Sequence, residues 1–412
     1  MDVYLSLKLG VVVILMIISE KNILNYKFKS KQFIPYDDYI CKFVNDLSKK
    51  LLLKFDPRDN ADIATLAFFC RNGNILKLKK DFYAKKKIKK PLGVIFHVPP
   101  NNIATNFAYS FIFSLLLGNS NIIRISNKLL DHSGKLVKII NNLMKEKYKK
   151  LYENNFFVFY EKSNEINLKL NSICDGRMIW GGNKTVKFFK NIITQPHVKD
   201  IFFYDRYSIC VIQSEILNKS SNNQLKLLAK NFFNDTYLVD QAACSSPILI
   251  NWLGKNIEVA KKKFWAAMYS HLKQIKYDKL FSDYSAIDKE VVSSTFFADK
   301  NSYVKNYKNL SNMINIIELK KVPKDINFYK GKFGLFFEYN LKNLSDIRKF
   351  INRGCQTLTY FGLNKNELIR LAENKNLYGI DRFVNIGSSL DMNIIWDGVD
   401  LNEALTRNIT IT

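Results

Sequence analysis

Residues 92–125 read LGVIFHVPPNNIATNFAYSFIFSLLLGNSNIIRI, and they indicate the class of fold. An apolar run over 92–98 ends at two prolines, which predicts a buried strand that stops abruptly. Residues 106–117 are apolar nearly all round and are followed by glycine and asparagine, which predicts a buried helix with its C-cap. A second strand is predicted over 121–125. A strand, a helix and a strand in so short a stretch predict a parallel crossover, and therefore a doubly wound sheet.

The same pattern returns further along the first half of the chain. Residues 177–180 predict a strand, Gly181 and Gly182 a turn, and residues 184–193 the start of a helix. Further strands are predicted over 201–204 and 208–213. The first half is therefore expected to be α/β with several crossovers.

The second half predicts another α/β unit. Strands are predicted over 247–252, 334–337 and 358–361. Helices are predicted over 258–275, 344–351 and 366–372. Because a chain of 412 residues exceeds the usual size of one hydrophobic core, we expect two domains.

The chain is strongly basic. Its formal net charge is +26, and residues 77–90 (KLKKDFYAKKKIKK) are the densest basic stretch. Lysine is nevertheless spread along the whole sequence, and aromatic residues do not alternate with the charges as a base-stacking surface requires. We therefore expect no nucleic acid partner, although so positive a field attracts anionic ligands such as phosphates and coenzyme A.

Residues 9–18 (LGVVVILMII) raise the question of a membrane. They are ten apolar residues, fewer than the roughly 20 that span a bilayer. Asp2 precedes the run and no small-residue cleavage site follows it, which argues against a secretory signal. We expect a buried strand or helix there and no membrane span.

The six cysteines are scattered along the chain. No CxxC pair occurs and no histidine stands at metal-ligand spacing, so neither a disulfide framework nor a metal site is indicated. This usage favours a reducing, cytoplasmic compartment.

Cys244 lies within residues 240–247 (DQAACSSP), between two alanines and two serines. Small neighbours allow a substrate carbonyl to approach the sulfur, and a cysteine becomes reactive where its thiolate is favoured. From these residues alone, a buried structural cysteine is the more common case.

The order of the motifs changes this balance, because it resembles the aldehyde dehydrogenase superfamily. Four elements follow one another along the chain: a Pro-x-Asn element after the first strand, a Gly-Asn-Ser-Asn turn before Arg124, a double-glycine turn and the cysteine. Four phrases are similar to acyl-thioester reductases, the LuxC-type fatty acid reductases associated with bacterial luminescence operons: PPNNIATNFAYSFIFSLLLGNSNIIRIS, DQAACSSP, QTLTYFG and GIDRFVNIG. The resemblance covers roughly residues 90–400.

The resemblance implies reduction of a fatty acyl thioester to an aldehyde. The acyl group, from acyl-CoA or an acylated partner synthetase, is expected to pass to the Cys244 thiolate before hydride reduces the enzyme thioester. Asn102, with Asn101 as the near alternative, matches the position whose amide binds the developing oxyanion beside the cysteine's own backbone N–H, and such a donor is worth about 3 kcal/mol. Without the resemblance, an asparagine that caps the turn is an equal explanation.

The resemblance also implies a nicotinamide cofactor. Arg124 and Ser126 stand where relatives hold the adenosine ribose and phosphate. NAD-selective dehydrogenases usually place a carboxylate near the ribose hydroxyls, but Asn127 and Lys128 follow here, so NADPH is favoured over NADH. Without the resemblance, these cations are exposed surface charges. The turn that is expected to face the pyrophosphate and nicotinamide consists of Gly181, Gly182 and Asn183.

Two acids of the superfamily are missing. Oxidising relatives carry a glutamate that activates the deacylating water, but Phe203 stands at that position in residues 202–207 (FFYDRY). A second glutamate, before a Phe-Gly pair, is replaced by residues 331–332 (GK), and nearby Glu338 has no assignable role. Because a reduced acyl-enzyme needs no activated water, loss of the first acid supports reduction.

Other polar residues beside these motifs have less defined roles. His97 is expected to be a satisfied strand-end histidine rather than a proton donor. Asp205 and Arg206 are expected to form a structural ion pair, and Arg382 lies in a family-like phrase without a role.

We therefore predict an aldehyde dehydrogenase-like α/β fold. Its parts are an NADP(H)-binding doubly wound domain over 1–205, a catalytic domain over 206–390 and a C-terminal oligomerisation segment over 391–412. Homodimers or homotetramers are expected. Two alternatives stay open: a CoA-acylating aldehyde dehydrogenase that works in the oxidative direction, and a catalytically dead basic binding protein on the same fold.

Overall fold

The computed structural model describes Ile23 and residues 33–56, 60–100, 102–125, 130–160, 163–277 and 283–411. These residues divide into two compact units. The first lies within 1–204 and 392–412, and the second is 205–391.

The first unit is built on a five-stranded parallel sheet with the order β4-β3-β2-β5-β6. The strands before the second unit are β1 (Ile88–Pro91), β2 (Val94–Val98), β3 (Ser120–Ile125), β4 (Asn155–Phe159), β5 (Gly176–Trp180) and β6 (Lys199–Phe203). The helices are α1 (Asp38–Lys54), α2 (Ala61–Phe69), α3 (Asn72–Ala84), α4 (Asn106–Leu116), α5 (Leu130–Lys147), α6 (Lys149–Tyr152), α7 (Asn164–Ile173) and α8 (Asn183–Lys190).

Apolar clusters cover both faces of this sheet, which explains why its central strands read as continuous apolar runs. Ile95 and Ile123 lie in the cluster that contains α4, whereas Phe96 and Ile122 lie in the opposite cluster with residues of α7. The predicted crossover from β2 through α4 to β3 is confirmed. The sheet is doubly wound, as the alternation of strands and helices predicts.

The second unit contains a seven-stranded sheet with the order β13-β12-β7-β8-β11-β10-β9. Its strands are β7 (Tyr207–Gln213), β8 (Pro247–Leu253), β9 (Val304–Leu310), β10 (Ile314–Leu319), β11 (Leu335–Leu341), β12 (Cys355–Phe361) and β13 (Arg382–Asn385). Neighbouring strands are parallel except β9, which is antiparallel to β10. The helices are α9 (Ser214–Asn218), α10 (Asn222–Asp235), α11 (Ile257–Gln274), α12 (Asp283–Lys300) and α13 (Lys365–Ala372), with 3-10 helices at Tyr237–Val239, Asn301–Tyr303, Ile326–Tyr329 and Leu344–Lys349.

The helix predicted over 344–351 is present, but it is of the 3-10 type and ends earlier. A short 3-10 helix, Leu344–Lys349, occupies this stretch. Phe350 and Ile351 both enter the core directly after it. Phe350 already departs from helical geometry, with φ −130° and ψ −10°.

The C-terminal segment belongs to the first unit. It contains β14 (Ile395–Trp396), β15 (Val399–Asp400), α14 (Leu401–Ala404) and β16 (Thr406–Ile409). β16 pairs antiparallel with β1, while Trp396, Leu401 and Leu405 join the apolar cluster of α4. The segment thus completes the core of its own unit, and its contact with a neighbouring subunit stays a prediction.

Several lysines of the basic stretch over 77–90 form ion pairs within this unit. Lys85 pairs with Asp400 at 2.9 Å, and Lys89 pairs with Glu403 at 2.5 Å. These pairs connect the stretch to the C-terminal segment, so part of its charge serves the packing of the chain itself.

The described part of the chain contains no helix long and apolar enough to cross a membrane. The apolar run over 9–18 lies outside the described residues.

Candidate active site

Cys244 lies in a tight turn of the second unit, between the 3-10 helix Tyr237–Val239 and β8. Two consecutive residues at the start of the turn adopt the left-handed conformation, Asp240 at φ 48° and Gln241 at φ 55°. Non-glycine residues seldom adopt this conformation, and they keep it where the surrounding structure over-determines it, often at functional sites. We call residues 240–246 the cysteine turn.

Cys244 differs from the other five cysteines in its exposure. It is half-buried, whereas the other five are buried. Burial raises the pKa of each buried thiol: to about 11 for Cys41, to about 12 for Cys174 and Cys210, and higher still for Cys70 and Cys355. Those five stay protonated near neutral pH, and Cys244 is the most accessible of the six thiols.

A buried serine holds the main chain of Cys244. The Ser208 hydroxyl, at the start of β7, donates a hydrogen bond of 2.7 Å to the Cys244 carbonyl oxygen. The same hydroxyl oxygen accepts a hydrogen bond of 3.2 Å from the backbone N–H of Thr357 in β12. The cysteine turn is thereby attached to two neighbouring strands of the sheet.

Asn102 lies in the first unit, in the turn between β2 and α4, and is exposed. The side-chain Nδ2 of Asn106 donates a hydrogen bond of 3.2 Å to its Oδ1. This bond holds the Asn102 amide through its oxygen atom. The nitrogen atom of the same amide is the one that could donate to an oxyanion. Asn101, the near alternative, lies outside the described residues.

Arg124 is the penultimate residue of β3. Its guanidinium lies over the Tyr160 ring at 4.8 Å from the ring centroid. Among the described residues, its buried Nε has no hydrogen-bond partner and no carboxylate pairs with it. A guanidinium held this way is suited to a phosphate. Ser126, Asn127 and Lys128, which are also predicted to bind the cofactor, lie outside the described residues.

Gly181 and Gly182 follow β5 and precede α8, which begins at Asn183. The Gly181 N–H donates to the Phe203 carbonyl oxygen at 3.0 Å. Gly182 is the N-cap of α8, and no side-chain hydrogen bond caps the helix. A Cβ at Gly182 would meet no described atom within 4 Å. The first turn of α8 is therefore open to an anionic group, which the helix dipole favours.

These residues of the first unit meet at one edge of its sheet. β2 is parallel to β3 on one side and to β5 on the other, so Asn102, Arg124 and Gly182 all lie at or just after the carboxyl ends of adjacent strands. The strand order changes direction between β2 and β5, and ligands of doubly wound sheets bind at this point. Arg124 and the uncapped α8 fit a phosphorylated dinucleotide.

Phe203 occupies the end of β6 and is buried. Its ring lies 4.0 Å, centroid to centroid, from that of Trp180 at the end of β5. An aromatic pair fills the position where the oxidising relatives are expected to carry an acid. Neither of these two aromatic side chains can act as the base that activates a water molecule.

His97 is buried inside the first unit. Its Nδ1 lies 2.8 Å from the Ser110 hydroxyl and its Nε2 lies 2.9 Å from Oδ1 of Asn121. Burial lowers the pKa of His97 to about 4. The ring is neutral near pH 7 and satisfied by these contacts, as expected for a strand-end histidine that donates no proton to substrate.

The remaining acids that flank the motifs are engaged in structural contacts. Oε1 of the buried Glu338 accepts hydrogen bonds from the indoles of Trp252 at 2.9 Å and Trp265 at 2.6 Å. Asp205 and Arg206 do form ion pairs, but with Lys330 and Asp381 respectively rather than with each other. None of these groups lies ready to contact a ribose.

Three further polar residues carry no sequence signal of their own. They are Ser208, Gln241 and Asp235. Asp235 is buried and accepts the backbone N–H groups of Gly387 at 2.6 Å and Ser389 at 2.8 Å. These bonds hold the loop after β13, where the phrase GIDRFVNIG ends. Of the three, only Gln241 lies inside one of the four family-like phrases, DQAACSSP.

Within the described ranges, no group of three or more His, Cys, Asp or Glu side chains is placed to bind a metal ion.

Comparison with known proteins gives a family match and a fold match. The acyl-CoA reductase (LuxC) family matches residues 76–408. Curated protein sequences include no match to this chain.

Three solved structures illustrate the fold match. Glyceraldehyde-3-phosphate dehydrogenase GapN from Methanocaldococcus jannaschii, complexed with NADP, has 14% identity and a TM-score of 0.61 over 91% of this chain and 89% of that chain. AldH from Staphylococcus aureus in a substrate-bound state has 12% identity and a TM-score of 0.58 over 92% and 89%. Aldehyde dehydrogenase 21 from Physcomitrella patens, in complex with the reaction product succinate, has 10% identity and a TM-score of 0.60 over 90% and 85%. The chain therefore has the aldehyde dehydrogenase fold, as predicted.

Proposed function

Because the chain belongs to the LuxC family of acyl-CoA reductases, we propose that it reduces a fatty acyl thioester to the aldehyde, with NADPH, through an acyl-enzyme on Cys244. Family membership and the fold support the general activity, which is that of an oxidoreductase acting on acyl or aldehyde groups with a nicotinamide cofactor. The proposal adds three specific points to this general activity: a thioester substrate, a fatty acyl chain and NADPH as the cofactor.

One observation carries the proposal. Cys244 is the half-buried cysteine, held in a turn with unusual backbone geometry, whereas burial raises the pKa of the other five. A nucleophilic thiol needs access and a favoured thiolate, and the five buried thiols have neither.

The reaction has two steps, acyl transfer to Cys244 and reduction of the enzyme thioester. In the first, the Cys244 thiolate attacks the carbonyl carbon of the acyl thioester, the bond to the donor sulfur breaks, and the donor leaves as a thiol after taking a proton. NADPH, when bound, supplies the hydride that reduces the resulting enzyme thioester. Hydride addition leaves a tetrahedral thiohemiacetal anion on Cys244, which collapses by breaking its carbon–sulfur bond, releases the aldehyde and returns the thiolate.

The chain supplies electrostatic help where negative charge develops. We assign this role to the Asn102 amide, which Asn106 orients, and to the backbone N–H of Cys244. Removal of one such donor typically costs about 3 kcal/mol of transition-state stabilisation.

The first unit would hold the cofactor. We assign the pyrophosphate to the N-terminus of α8 at Gly181, Gly182 and Asn183. We assign the phosphate of the adenosine ribose to Arg124, with Ser126, Asn127 and Lys128 contributing. Among the described residues no carboxylate pairs with Arg124, which supports NADPH over NADH, since an anion beside the ribose would repel the phosphate.

The test is intact-mass spectrometry after incubation with a panel of acyl-CoAs in the absence of NADPH. We expect one acyl adduct on the wild type, none on Cys244→Ala, and an unchanged adduct on Cys210→Ala, a buried cysteine of the same unit. An adduct that persists in Cys244→Ala would contradict the assignment. The acyl chain that reacts fastest would identify the substrate class.

The oxidative alternative uses the same cysteine and differs in direction. Decanoyl-CoA with NADPH and, separately, decanal with NADP and CoA would show which direction the protein supports. Phe203 does not distinguish the two directions, because CoA rather than water accepts the acyl group in the oxidative one.

The alternative of a basic binding protein has less support, because Lys85 and Lys89 already pair with carboxylates of the chain. It predicts steeply salt-dependent binding of polyanions without turnover. A homodimer or homotetramer, an acylated synthetase as donor and a cytoplasmic location also belong to the proposal. Light scattering on the purified protein tests the first of these.

A further inference from the structure

The cysteine turn is held by polar side chains to which no role has been assigned. Its first two residues, Asp240 and Gln241, have φ of 48° and 55°, so the turn starts from a conformation that a free chain avoids. Such a backbone persists only if its surroundings hold it in place.

Gln241 supplies most of that hold. Its side chain is buried, its Oε1 accepts the Gly334 N–H at 2.8 Å, and its Nε2 lies 3.3 Å from the Leu335 carbonyl oxygen. The same Nε2 lies 3.4 Å from the carbonyl oxygen of Pro247, where β8 begins. One amide therefore ties the start of the cysteine turn to its end and to β11. Only a group that both donates and accepts can make these contacts.

The segment that Gln241 contacts is itself conformationally restricted. Phe333 and Gly334 have φ of 55° and 87°, and a Cβ at Gly334 would lie 2.2 Å from the Met313 carbonyl oxygen. The Phe333 N–H also donates to the Asp240 carbonyl oxygen at 3.3 Å. Gln241 is thus anchored to the residues just before and at the start of β11, whose backbone conformation is restricted.

Ser208 holds the opposite side of the cysteine turn. Its hydroxyl connects the Cys244 carbonyl oxygen to the Thr357 N–H and is fully buried. The carbonyl of Cys244 belongs to the peptide plane that follows the cysteine, so this bond restricts the backbone rotation on that side of the thiol. Gln241 and Ser208 together restrain the chain before and after the reactive residue.

We infer that Gln241 and Ser208 are positioning residues for acyl transfer, because they hold the thiol and backbone N–H of Cys244 in the geometry that the acyl-transfer transition state needs. The inference rests on the proposed function. Neither side chain takes or gives a proton in the reaction. A misplacement of the reacting groups by about 1 Å can lower a rate by about 100-fold.

The experiment compares two rates on the full-length protein. One is the single-turnover rate of Cys244 acylation by the acyl-CoA that the wild type accepts best, followed by intact mass. The other is the alkylation rate of Cys244 by iodoacetamide as a function of pH, which needs an accessible thiolate but no acyl-transfer geometry. Ser208→Ala and Gln241→Met are the test variants, Ser208→Thr is the conservative variant, and Gln224→Ala, at the exposed capping box of α10, is the control.

We expect acylation to fall by roughly 10- to 100-fold in Ser208→Ala and Gln241→Met, while alkylation and its pH profile change by less than about 2-fold. Ser208→Thr, which keeps the hydroxyl, should recover most of the rate, and Gln224→Ala should match the wild type. Acylation within 2-fold of the wild type in both test variants would overturn the inference. A parallel fall of both rates with the folded fraction would also overturn it, because it would indicate a structural role only. Failure of the wild type itself to acylate Cys244 would instead overturn the proposed function, which is a separate outcome.

Discussion

The side chain of Asn106 donates a hydrogen bond to the side chain of Asn102, with 3.2 Å between Nδ2 and Oδ1. The two residues bracket the turn between the central strand of the first unit and its buried helix. The bond occupies the oxygen of the Asn102 amide and so sets the direction of its nitrogen. Asn106 therefore controls how Asn102 can donate.

The first prediction concerns this pair. Asn102→Ala should lower the single-turnover reduction rate by about 100-fold, the usual effect of losing one oxyanion donor. Asn106→Ala should lower it less, by about 10-fold, because the donor remains but loses its orientation. Stopped-flow loss of NADPH absorbance measures both. The matched control is Asn74→Ala, which removes a side-chain hydrogen bond to the Phe69 carbonyl in a helical part of the same unit.

The second prediction concerns the N-terminus of α8. Since a Cβ at Gly182 would meet no described atom within 4 Å, Gly182→Ala should fold normally. It should weaken NADPH by about 10-fold or more, equivalent to about 1.4 kcal/mol, because the methyl group fills the space that a pyrophosphate needs. Titration of NADPH fluorescence gives the Kd. Gly134→Ala is the control, since its Cβ is also unobstructed but lies within α5; equal affinities in all three proteins would exclude this site.

The third prediction concerns the choice of cofactor. Arg124→Gln should weaken NADPH by roughly 10- to 100-fold, as expected for loss of a hydrogen bond to a charged group, and should change NADH by less than about 3-fold. Arg71→Gln is a close control, because Arg71 also lies over an aromatic ring, that of Phe68, at 4.1 Å. If the ratio of the two affinities is unchanged in Arg124→Gln, another residue reads the phosphate.

The fourth prediction is a pH dependence of stability. Burial lowers the pKa of His97 to about 4, below its ordinary value of 6.5. The unfolded chain therefore binds a proton between these two values that the folded chain does not, so stability falls as pH falls through this window. His97 should account for about 3 kcal/mol of the loss. Urea unfolding of wild type and His97→Gln between pH 7 and pH 4 measures it, and parallel losses in both proteins would contradict the assignment.

The fifth prediction concerns the buried charges of the second unit. Lys261 lies 2.7 Å from Glu318 and 3.8 Å from Glu338, and all three side chains are buried. Burial raises the pKa of Glu338, and the Lys261 charge works in the opposite direction. Lys261→Met should destabilise the protein by about 3–5 kcal/mol, because it leaves the buried Glu338 without its cation and Glu318 with Lys305 alone.

Two variants check this assignment. Adding Glu338→Gln to Lys261→Met should restore part of the stability, because one buried charge is then removed as well. Lys262→Met, at an exposed neighbouring position, should have little effect. Chemical unfolding followed by tryptophan fluorescence is the measurement, since Trp252 and Trp265 both donate to Glu338. Equal stability of the two lysine variants would contradict the prediction.

The fold could be predicted well from short stretches. The run from β2 through α4 to β3 signals its structure in its own apolar pattern and in the residues that end each element. The stretch over 344–351 could not be read this way. Its apolar pattern indicates a helix but does not distinguish a 3-10 helix from an α-helix, and the burial of Phe350 and Ile351 after it comes from packing against the rest of the unit.

The residues of the candidate site also differ in whether the sequence alone identifies them. Cys244 and the glycines after β5 stand out as residue types in motifs, so the sequence marks them. Ser208 does not, because an isolated serine in an apolar strand has no distinctive pattern. Its significance comes from Thr357, 149 residues away, and from the Cys244 carbonyl, 36 residues away.

The amino-acid sequence by itself determined the class of fold, the family resemblance and the identity of the candidate nucleophile, because these depend on residue type, spacing and order along the chain. Only the tertiary structure decided that five cysteines are sealed in apolar cores, that His97 is a neutral core residue, and that Gln241 and Ser208 restrain the cysteine turn. Burial and long-range hydrogen bonds arise when distant segments pack together, and no local pattern contains that information.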